Sequence, residues 1–237
     1  MTLLTVIQNV CPVVGVLVPQ SVLSSIASNR TMQEMVTLAN EVAQTIAYDT
    51  REWTALTTMA TLTGDGFTEA FNLPANYKRM LLKSNVWRST QTQWPMRFVP
   101  DLDDWLQRRA ATYYDSAGEW TIYGGKIHIQ PIMTTGQTAT FNYLDKNCIA
   151  LTSGGSGDNF LADNDTFRLD ERLLKLAMIW RWKSQKGTAY AEDMSTYGDA
   201  LNALSGADKP APIIIGRVPM MRGVSPAYPW PAPTNGP

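Results

Sequence analysis

The sequence predicts an α+β fold: a helical bundle with an inserted antiparallel β domain and an extended C-terminal tail. Apolar residues recur at helical spacing towards both ends of the chain, and alternating apolar residues around glycine turns occupy the middle. The last stretch is rich in proline, which interrupts helices and sheets. We divide the chain into N-terminal helices (residues 1–55), a β-rich insertion (56–152), a loop with a C-terminal helical hairpin that completes the bundle (153–205) and the Pro-rich tail (206–237).

The composition is that of a folded protein with little net charge. Of the 237 residues, 44% are hydrophobic and 17% are charged, which is enough for a sizeable core in one large domain or two closely packed ones. The net charge of -1 lacks the basic excess of typical nucleic-acid binders, so any affinity for DNA must be local or absent. Cys11 and Cys148 form no paired motif, and we interpret both as buried small hydrophobic residues in a reducing compartment.

The N-terminal residues 1–19 are apolar, but they do not predict a signal peptide or a membrane span. They have no basic n-region, and Pro12 and Gly15 interrupt the apolar run. We therefore predict a short helix over residues 2–10, synthesis in the cytoplasm and no membrane association.

A long amphipathic helix is predicted next, from Asn29 to about Glu52. Asn29 is of a residue type that caps helices, and the apolar residues after it follow the three-four spacing of one buried face. These apolar residues are Met32, Met35, Val36, Ala39, Val42, Ala43, Ile46 and Ala47.

Short strands are predicted in the first half of the insertion, together with one small helix. Residues 56–71 surround Gly64-Asp65-Gly66 and predict two strands joined by a tight turn. Residues 80–86 predict another strand or a short helix. Residues 102–111 predict a helix capped by Asp101.

A hairpin is predicted in the second half of the insertion. Its strands are residues 120–123 and 126–130, joined by a two-residue Gly-Gly turn. Alternation along the second strand places Ile127 and Ile129 on one face and His128 on the other. Residues 137–144 predict one further strand.

The C-terminal hairpin is predicted from helices over residues 168–186 and 188–205, with Gly187 ending the first and Thr188 capping the second. Leucine, methionine and tryptophan fill most of the first helix, but one stripe is basic. This basic stripe consists of Arg168, Arg172, Lys175, Lys183 and Lys186. Its charges could face phosphates, acidic residues of a neighbouring subunit, or water.

Catalytic and metal-binding patterns are weak. His128 is the single histidine, and nothing in the sequence supplies an orienting carboxylate or a nucleophile, so we interpret it as a solvated strand residue. A calcium site or a metal-dependent hydrolase is imaginable at an aspartate cluster near a Gly/Ser-rich loop, but the spacing favours turn-forming and helix-capping roles. The cluster is Asp158, Asp163, Asp165 and Asp170. We therefore predict no enzyme activity, no cofactor and no metal.

Three segments carry a resemblance to a known family. They are residues 71–79 (FNLPANYKR), residues 120–131 (WTIYGGKIHIQP) and residues 171–204, which contain IWRWK and YAED. Together they resemble the head-to-tail adaptor, or connector, proteins of tailed bacteriophages, and are similar to the tail tubular protein A type of podophages. The order of elements agrees over residues 1–205.

The resemblance implies a structural virion protein at the head–tail interface, made in the host cytoplasm. Such proteins form a ring, usually of twelve copies, that joins the portal to the tail and lets genomic DNA pass through its lumen. The implied partners are further copies of the chain, the portal protein and a nozzle or tube protein of the tail. Double-stranded DNA lies nearby without specific binding, and a modest net charge suits this because strongly basic walls would hinder sliding DNA.

The tail presents apolar residues on a Pro-rich strip that cannot fold back regularly, which is typical of a segment that lies on another chain. We predict a portal or ring interface at Ile213, Ile214, Ile215, Met220, Met221, Tyr228 and Trp230. The alternative is a virion accessory module that binds a host surface glycan or receptor, in which exposed tryptophan and tyrosine stack on sugars.

Overall fold

A computed structural model describes residues 1–26, 28–82, 84–90, 93–111 and 114–208. Five α-helices lie in these residues: α1 (Leu3–Val10), α2 (Arg30–Gln44), α3 (Leu102–Ala111), α4 (Glu171–Gln185) and α5 (Ala191–Asp208). Together with mostly antiparallel sheets they confirm the predicted α+β class. None of the described helices is long and apolar enough to cross a membrane.

Capping side chains define where the helices of the bundle begin. Thr2, Asn29 and Asp170 accept backbone N–H groups in the first turns of α1, α2 and α4. The cap at Asn29 confirms the prediction, and α2 continues into a π-helical turn, Thr45–Asp49. α4 begins later than predicted because Asp170 is its cap, and α5 continues past Ser205 to Asp208.

Two larger sheets form the β region. In the first, three strands pair with the long strand β8 (Thr138–Asp145), which confirms the strand predicted there. Its partners are β1 (Thr57–Thr63), β3 (Tyr77–Met80) and β4 (Trp87–Arg88). The second sheet has the spatial order β2 (Ala70–Asn72), β7 (Lys126–Gln130), β6 (Glu119–Tyr123) and β5 (Arg97–Phe98).

A small third sheet packs with the helices. In it, β9 (Ile149–Ala150) lies between β10 (Ser156–Gly157) and β11 (Thr166–Phe167). The boundary that the sequence suggested between residues 152 and 153 therefore falls inside this sheet.

The predicted hairpin over residues 56–71 is wrong. β1 pairs along its whole length with β8, whereas β2 pairs with β7 in the other sheet. Gly64 is needed for close packing instead of a hairpin turn, since an added Cβ would lie 2.5 Å from the Cβ of Met133. The prediction for residues 80–86 is also wrong, because β3 ends at Met80 and Val86 forms only an isolated bridge.

The second predicted hairpin is confirmed. β6 and β7 pair antiparallel around Gly124 and Gly125, whose φ angles of 59° and 73° suit a tight two-residue turn. α3 matches the predicted helix, and the side chain of Asp101 accepts the backbone N–H of Asp103 at 2.8 Å.

Two hydrophobic cores organise the described residues. The helical core joins α1, α2 and α4 with the third sheet, and it contains Cys11 and Cys148, both buried as predicted. The β core is built from side chains of the two larger sheets, including Ile127, Ile129 and Phe141. β8 contributes to both cores, since Leu144 near its end belongs to the helical one.

Candidate assembly site

The basic stripe of the C-terminal hairpin divides into residues paired within the chain and residues that face outward. Arg168, just before α4, donates to the Asp145 carboxylate at 2.9 Å and to the backbone oxygens of Asn147 at 2.6 Å and Ala55 at 3.1 Å. These acceptors lie at the end of β8 and ahead of β1. Arg168 therefore joins the hairpin to the β region, and its charge is compensated inside the chain.

Two lysines at the other end of the stripe are also paired. Lys183 Nζ lies 2.6 Å from a carboxylate oxygen of Asp193 on α5, and Lys186 Nζ lies 2.7 Å from one of Glu34 on α2. The hydrogen bond from Lys186 lowers the pKa of Glu34. These ion pairs hold the C-terminal end of α4 against α5 and α2.

Arg172 and Lys175 differ from the other three. Arg172 is exposed and Lys175 is partly exposed, and neither forms a salt bridge with any residue that the structure describes. Three positions separate them on α4, so they share one face. We call these two residues the open basic pair, because their charge is available to another molecule.

The second helix of the hairpin is acidic and largely exposed. α5 contains four acidic residues and no basic one, and Ala200 is its buried residue. Asp193 and Asp208 are paired within the chain, whereas Glu192 and Asp199 are exposed. Tyr190 and Met194 are 39% and 50% exposed. A helix that buries so little within its own chain keeps area for a second chain.

An apolar cavity of about 190 Å³ lies between α2, α4 and α5. Val42, Ile46 and Leu201 line it, together with Trp180 and Tyr197, whose rings lie 6.2 Å apart. The cavity adjoins the π-helical turn after α2, a type of irregularity that is frequent at functional positions. Its apolar lining suits a hydrophobic side chain better than a charged ligand.

The C-terminal end of α5 is fixed against the start of the β region. The Asp208 carboxylate accepts the backbone N–H of Thr54 at 3.2 Å and lies 3.7 Å from the Arg51 guanidinium, which also donates to Ser205. The last turn of α5 is therefore held in place at Asp208. Sequence reasoning missed this anchor because 154 positions separate the contacting residues and neither belongs to a motif.

A second apolar groove, of about 510 Å³, lies between the two cores, and we call it the sheet groove. Leu81 on its wall packs on the helical core, and Tyr77 and Met80 pack on the β core. Leu82 and Phe98 also line the groove and are 76% and 50% exposed.

His128 is not the solvated residue that the sequence predicted. It is 9% exposed, because the Tyr123 ring stacks on it with 3.6 Å between centroids. Its Nδ1 lies 3.8 Å from Glu69, whose carboxylate also pairs with Arg109 of α3 at 3.2 Å. Burial lowers the pKa of His128, and Glu69 opposes the shift. The imidazole is thus part of a packed ion-pair network between β7 and α3.

The aspartates near the Gly/Ser-rich loop act as structural acceptors. Asp163 accepts backbone N–H groups from residues 22–23, and Asp165 accepts three at 2.7–2.8 Å. Burial opposes their ionisation, but these hydrogen bonds outweigh it and lower the pKa of both carboxyl groups. Within the described ranges no group of three or more His, Cys, Asp or Glu side chains could hold a metal ion.

Four of the seven tryptophans that the structure describes are buried. Trp53, Trp105, Trp120 and Trp182 are each at most 5% exposed, whereas Trp87 and Trp94 are 43% and 68% exposed. The tail residues predicted as a portal or ring interface lie outside the described residues. They are Ile213, Ile214, Ile215, Met220, Met221, Tyr228 and Trp230.

A fold with two cores, an under-packed acidic helix and exposed apolar grooves is typical of a structural protein of a larger assembly. The sequence matches the family described as SU10 adaptor protein over residues 1–216, and the chain belongs to this family. The match extends through Ile213, Ile214 and Ile215. No curated protein matches the sequence. Family membership supports the phage head-to-tail adaptor that the resemblance predicted, and with it a virion component.

Proposed function

We propose that the chain forms an oligomeric ring, a dodecamer, that joins the portal to the tail and lets genomic DNA pass through its lumen. The observation that carries this proposal is the adaptor-family match over residues 1–216. Among phage adaptors, we propose that the chain is most similar to the tail tubular protein A type of podophage connectors. The partners are further copies of the chain, the portal protein and a nozzle or tube protein at the head–tail interface.

A ring needs two different surfaces on each subunit, because head-to-tail contacts around a rotation axis are heterologous. The C-terminal hairpin offers both: the open basic pair, Arg172 and Lys175, and the acidic face of α5. Glu192 and Asp199 on that face are exposed. We therefore assign the open basic pair to acidic residues of a neighbouring subunit in preference to phosphates.

Passage of DNA requires weak, nonspecific contact. Three of the five stripe charges are compensated within the chain, at Arg168, Lys183 and Lys186. Each phosphate contact adds salt-dependent affinity, so a lumen with few free cations lets DNA slide.

The Pro-rich tail supplies a second interaction surface, which binds the portal or another component of the ring. Because α5 continues to Asp208, whose carboxylate binds Thr54, the removable part of the tail starts at residue 209. Deletion of residues 209–237 should preserve the fold and abolish assembly. A deletion from residue 206 also removes the Asp208 anchor and serves as the comparison.

The test is the mass of the purified protein alone and with candidate portal protein, followed by electron microscopy of any large species. A ring, or a monomer that becomes a ring on the portal, is the expected result. A monomer that ignores the portal and is retained by host polysaccharide would favour the glycan-binding module instead. Normal assembly after deletion of residues 209–237 would contradict the proposal that the tail docks on a partner.

A further inference from the structure

We infer that strand β1 (Thr57–Thr63) is an interaction surface for a second copy of the chain, and that two β1 strands pair antiparallel about a two-fold axis at Thr61. The starting observation is the position of β1 at the end of its sheet. All seven of its residues pair with β8 in an unbroken register. On its other side β1 has no partner strand in the part of the chain that the structure describes.

The register shows which backbone groups of β1 point away from β8. The N–H group of Gly64, the residue after β1, donates to the Gln137 oxygen at 2.8 Å, so the even-numbered residues of β1 face β8. The odd-numbered residues therefore point outward. Among the described residues, the N–H and C=O groups of Met59, Thr61 and Thr63 have no hydrogen-bond partner. These three residues are exposed, Met59 by 66%, so another chain can reach them.

β1 also lacks the features that normally keep edge strands apart. Proteins protect such edges with lysine, proline, bulges or very short strands. The sequence of β1, TTMATLT, contains no charge and no proline. By contrast, β3 on the other side of β8 carries Lys78 and Arg79 and a register shift, and the other described edge strands are two or three residues long. A long unprotected edge is a template for an added strand.

A second copy is the favoured source of that strand because the edge is self-complementary. The three outward-facing residues are symmetric about Thr61, so a two-fold axis there places Thr61 opposite itself and Met59 opposite Thr63 of the second copy. Each unpaired N–H group then faces an unpaired C=O group. On the other face Ala60 lies opposite Leu62 of the second copy, which extends the β core to which both belong. No like charges meet, because β1 has none.

This contact does not depend on the proposed ring. A two-fold contact uses the same surface on both copies and closes at two, whereas contacts around a ring are heterologous. The residues assigned to the ring contact lie on α4 and α5, and none of them belongs to β1. Loss of the β1 contact would therefore leave the ring proposal standing, and the reverse also holds.

Cysteine cross-linking in the full chain tests the position of the axis. Opposed residues of a hydrogen-bonded pair have Cα atoms about 5.5 Å apart, within reach of a disulfide, so Thr61→Cys should form a covalent dimer. Met59→Cys alone and Thr63→Cys alone are the matched controls, because about 13 Å along the strand separates each residue from its own copy. A mixture of these two variants should give the heterodimer. The native Cys11 and Cys148 are buried.

We expect Thr61→Cys, and the mixture of Met59→Cys with Thr63→Cys, to cross-link about tenfold faster or more than either control alone. A charge pair gives a second measurement without cysteine. Met59→Lys/Thr63→Lys places like charges opposite each other at both ends of the contact, whereas Met59→Lys/Thr63→Glu places opposite charges there. The dimer dissociation constant of the first variant, measured by sedimentation equilibrium, should be about tenfold higher than that of the second.

Equal cross-linking rates for Thr61→Cys and Met59→Cys would overturn the inference, and so would equal dissociation constants for the two charge variants. Hydrogen exchange identifies the other possible source of the added strand. In the dimer, the N–H groups of Met59, Thr61 and Thr63 should become more protected as the concentration of the protein alone is raised. Protection that appears only after portal or tail protein is added would assign β1 to a strand of another protein and overturn the two-fold pairing.

Discussion

Arg108 and Glu119 form a buried ion pair, with 2.7 Å between the guanidinium and the carboxylate, and Glu119 is 0% exposed. Arg108 also donates to Asp104 at 2.9 Å, and these partners, Asp104 foremost, raise the pKa of Arg108. A carboxylate without access to water needs such a compensating charge. The pair therefore fixes α3 over the polar face of the β6–β7 hairpin.

Replacement of Arg108 by alanine should destabilise the protein more than the same change at Arg109. Arg108→Ala leaves the Glu119 charge buried without compensation, and we expect Tm to fall by about 8 °C. Arg109→Ala removes an ion pair whose arginine side chain is 52% exposed, and we expect a fall of about 2 °C or less. Circular dichroism melting curves measure both. Arg108→Ala/Glu119→Gln should recover part of the loss, and equal losses in the single variants would contradict the role of burial.

The buried imidazole of His128 should make stability depend on pH. Its pKa in the folded protein is lowered by burial, with Arg109 and Lys126 acting in the same direction and Glu69 against. The unfolded chain, with a histidine pKa of about 6.5, therefore binds more protons as the pH falls. The free energy of unfolding should be largest above pH 6.5 and decrease below it, until the folded pKa is reached.

The single histidine makes this prediction simple to check. The imidazole resonance of the folded protein reports one titration, and urea unfolding at pH 7.5, 6.5 and 5.5 reports the stability. His128→Gln should remove this part of the pH dependence while other groups keep theirs. A titration midpoint at or above 6.5 in the folded protein would contradict the lowered pKa.

Asp165 should be essential for the loop between β9 and α4. It is 1% exposed and accepts three backbone N–H groups, so Asp165→Ala leaves three donors in part-buried hydrogen bonds without this acceptor. We expect a loss of about 3 kcal/mol in the free energy of unfolding. Asp158→Ala, at an exposed aspartate of the same loop, should cost less than about 0.5 kcal/mol. Chemical denaturation measures both changes.

The carboxyl groups of Asp163 and Asp165 should make the protein less stable at acidic pH. The pKa values of Asp163 and Asp165 are lowered in the folded protein, so their contribution is complete above the unfolded value of about 3.9 and is lost as the pH falls below it. Calcium should leave Tm unchanged, because these oxygens already accept hydrogen bonds. An Asp165→Ala variant with normal stability but a lost hydrolase activity would contradict the structural role and restore the enzyme hypothesis.

Local patterns predicted the elements that depend on local chemistry. Asn29 caps α2, and Gly124 with Gly125 turns β6 into β7, because each effect acts over a few residues. The partner of β1 is β8, far along the chain, and no local signal distinguishes it from β2. The turn-like glycine at position 64 was misleading, since its function is a close approach to Met133.

Sequence patterns likewise predicted only part of the candidate assembly site. The resemblance carried by residues 71–79, 120–131 and 171–204 pointed to a phage adaptor, and family membership supports it. Which charges of the basic stripe are paired within the chain was not predictable. The ion pairs of Lys183 and Lys186 depend on how α4 packs against α5 and α2. Burial of His128 likewise depends on the tertiary position of α3 and on the Tyr123 ring.

Reversal of the open basic pair should weaken assembly by creating like charges across the proposed subunit contact. In Arg172→Glu/Lys175→Glu, two carboxylates would face the acidic surface of α5 on the next copy, and we expect the assembly midpoint to rise by about tenfold or more at low salt. Sedimentation at several ionic strengths measures it, and the effect should shrink as salt screens the repulsion. Lys126→Glu/Lys146→Glu changes the same charge at exposed positions on the β region and should have little effect.

A charge swap separates this contact from the alternative of phosphate binding. If the open basic pair meets α5, Glu192→Lys/Asp199→Lys should restore assembly to the Arg172→Glu/Lys175→Glu protein, because opposite charges again face each other. If the pair meets DNA, the α5 change cannot rescue it, since the phosphates stay negative. A variant that assembles normally but loses salt-dependent retention on DNA would assign Arg172 and Lys175 to the lumen instead of the subunit interface.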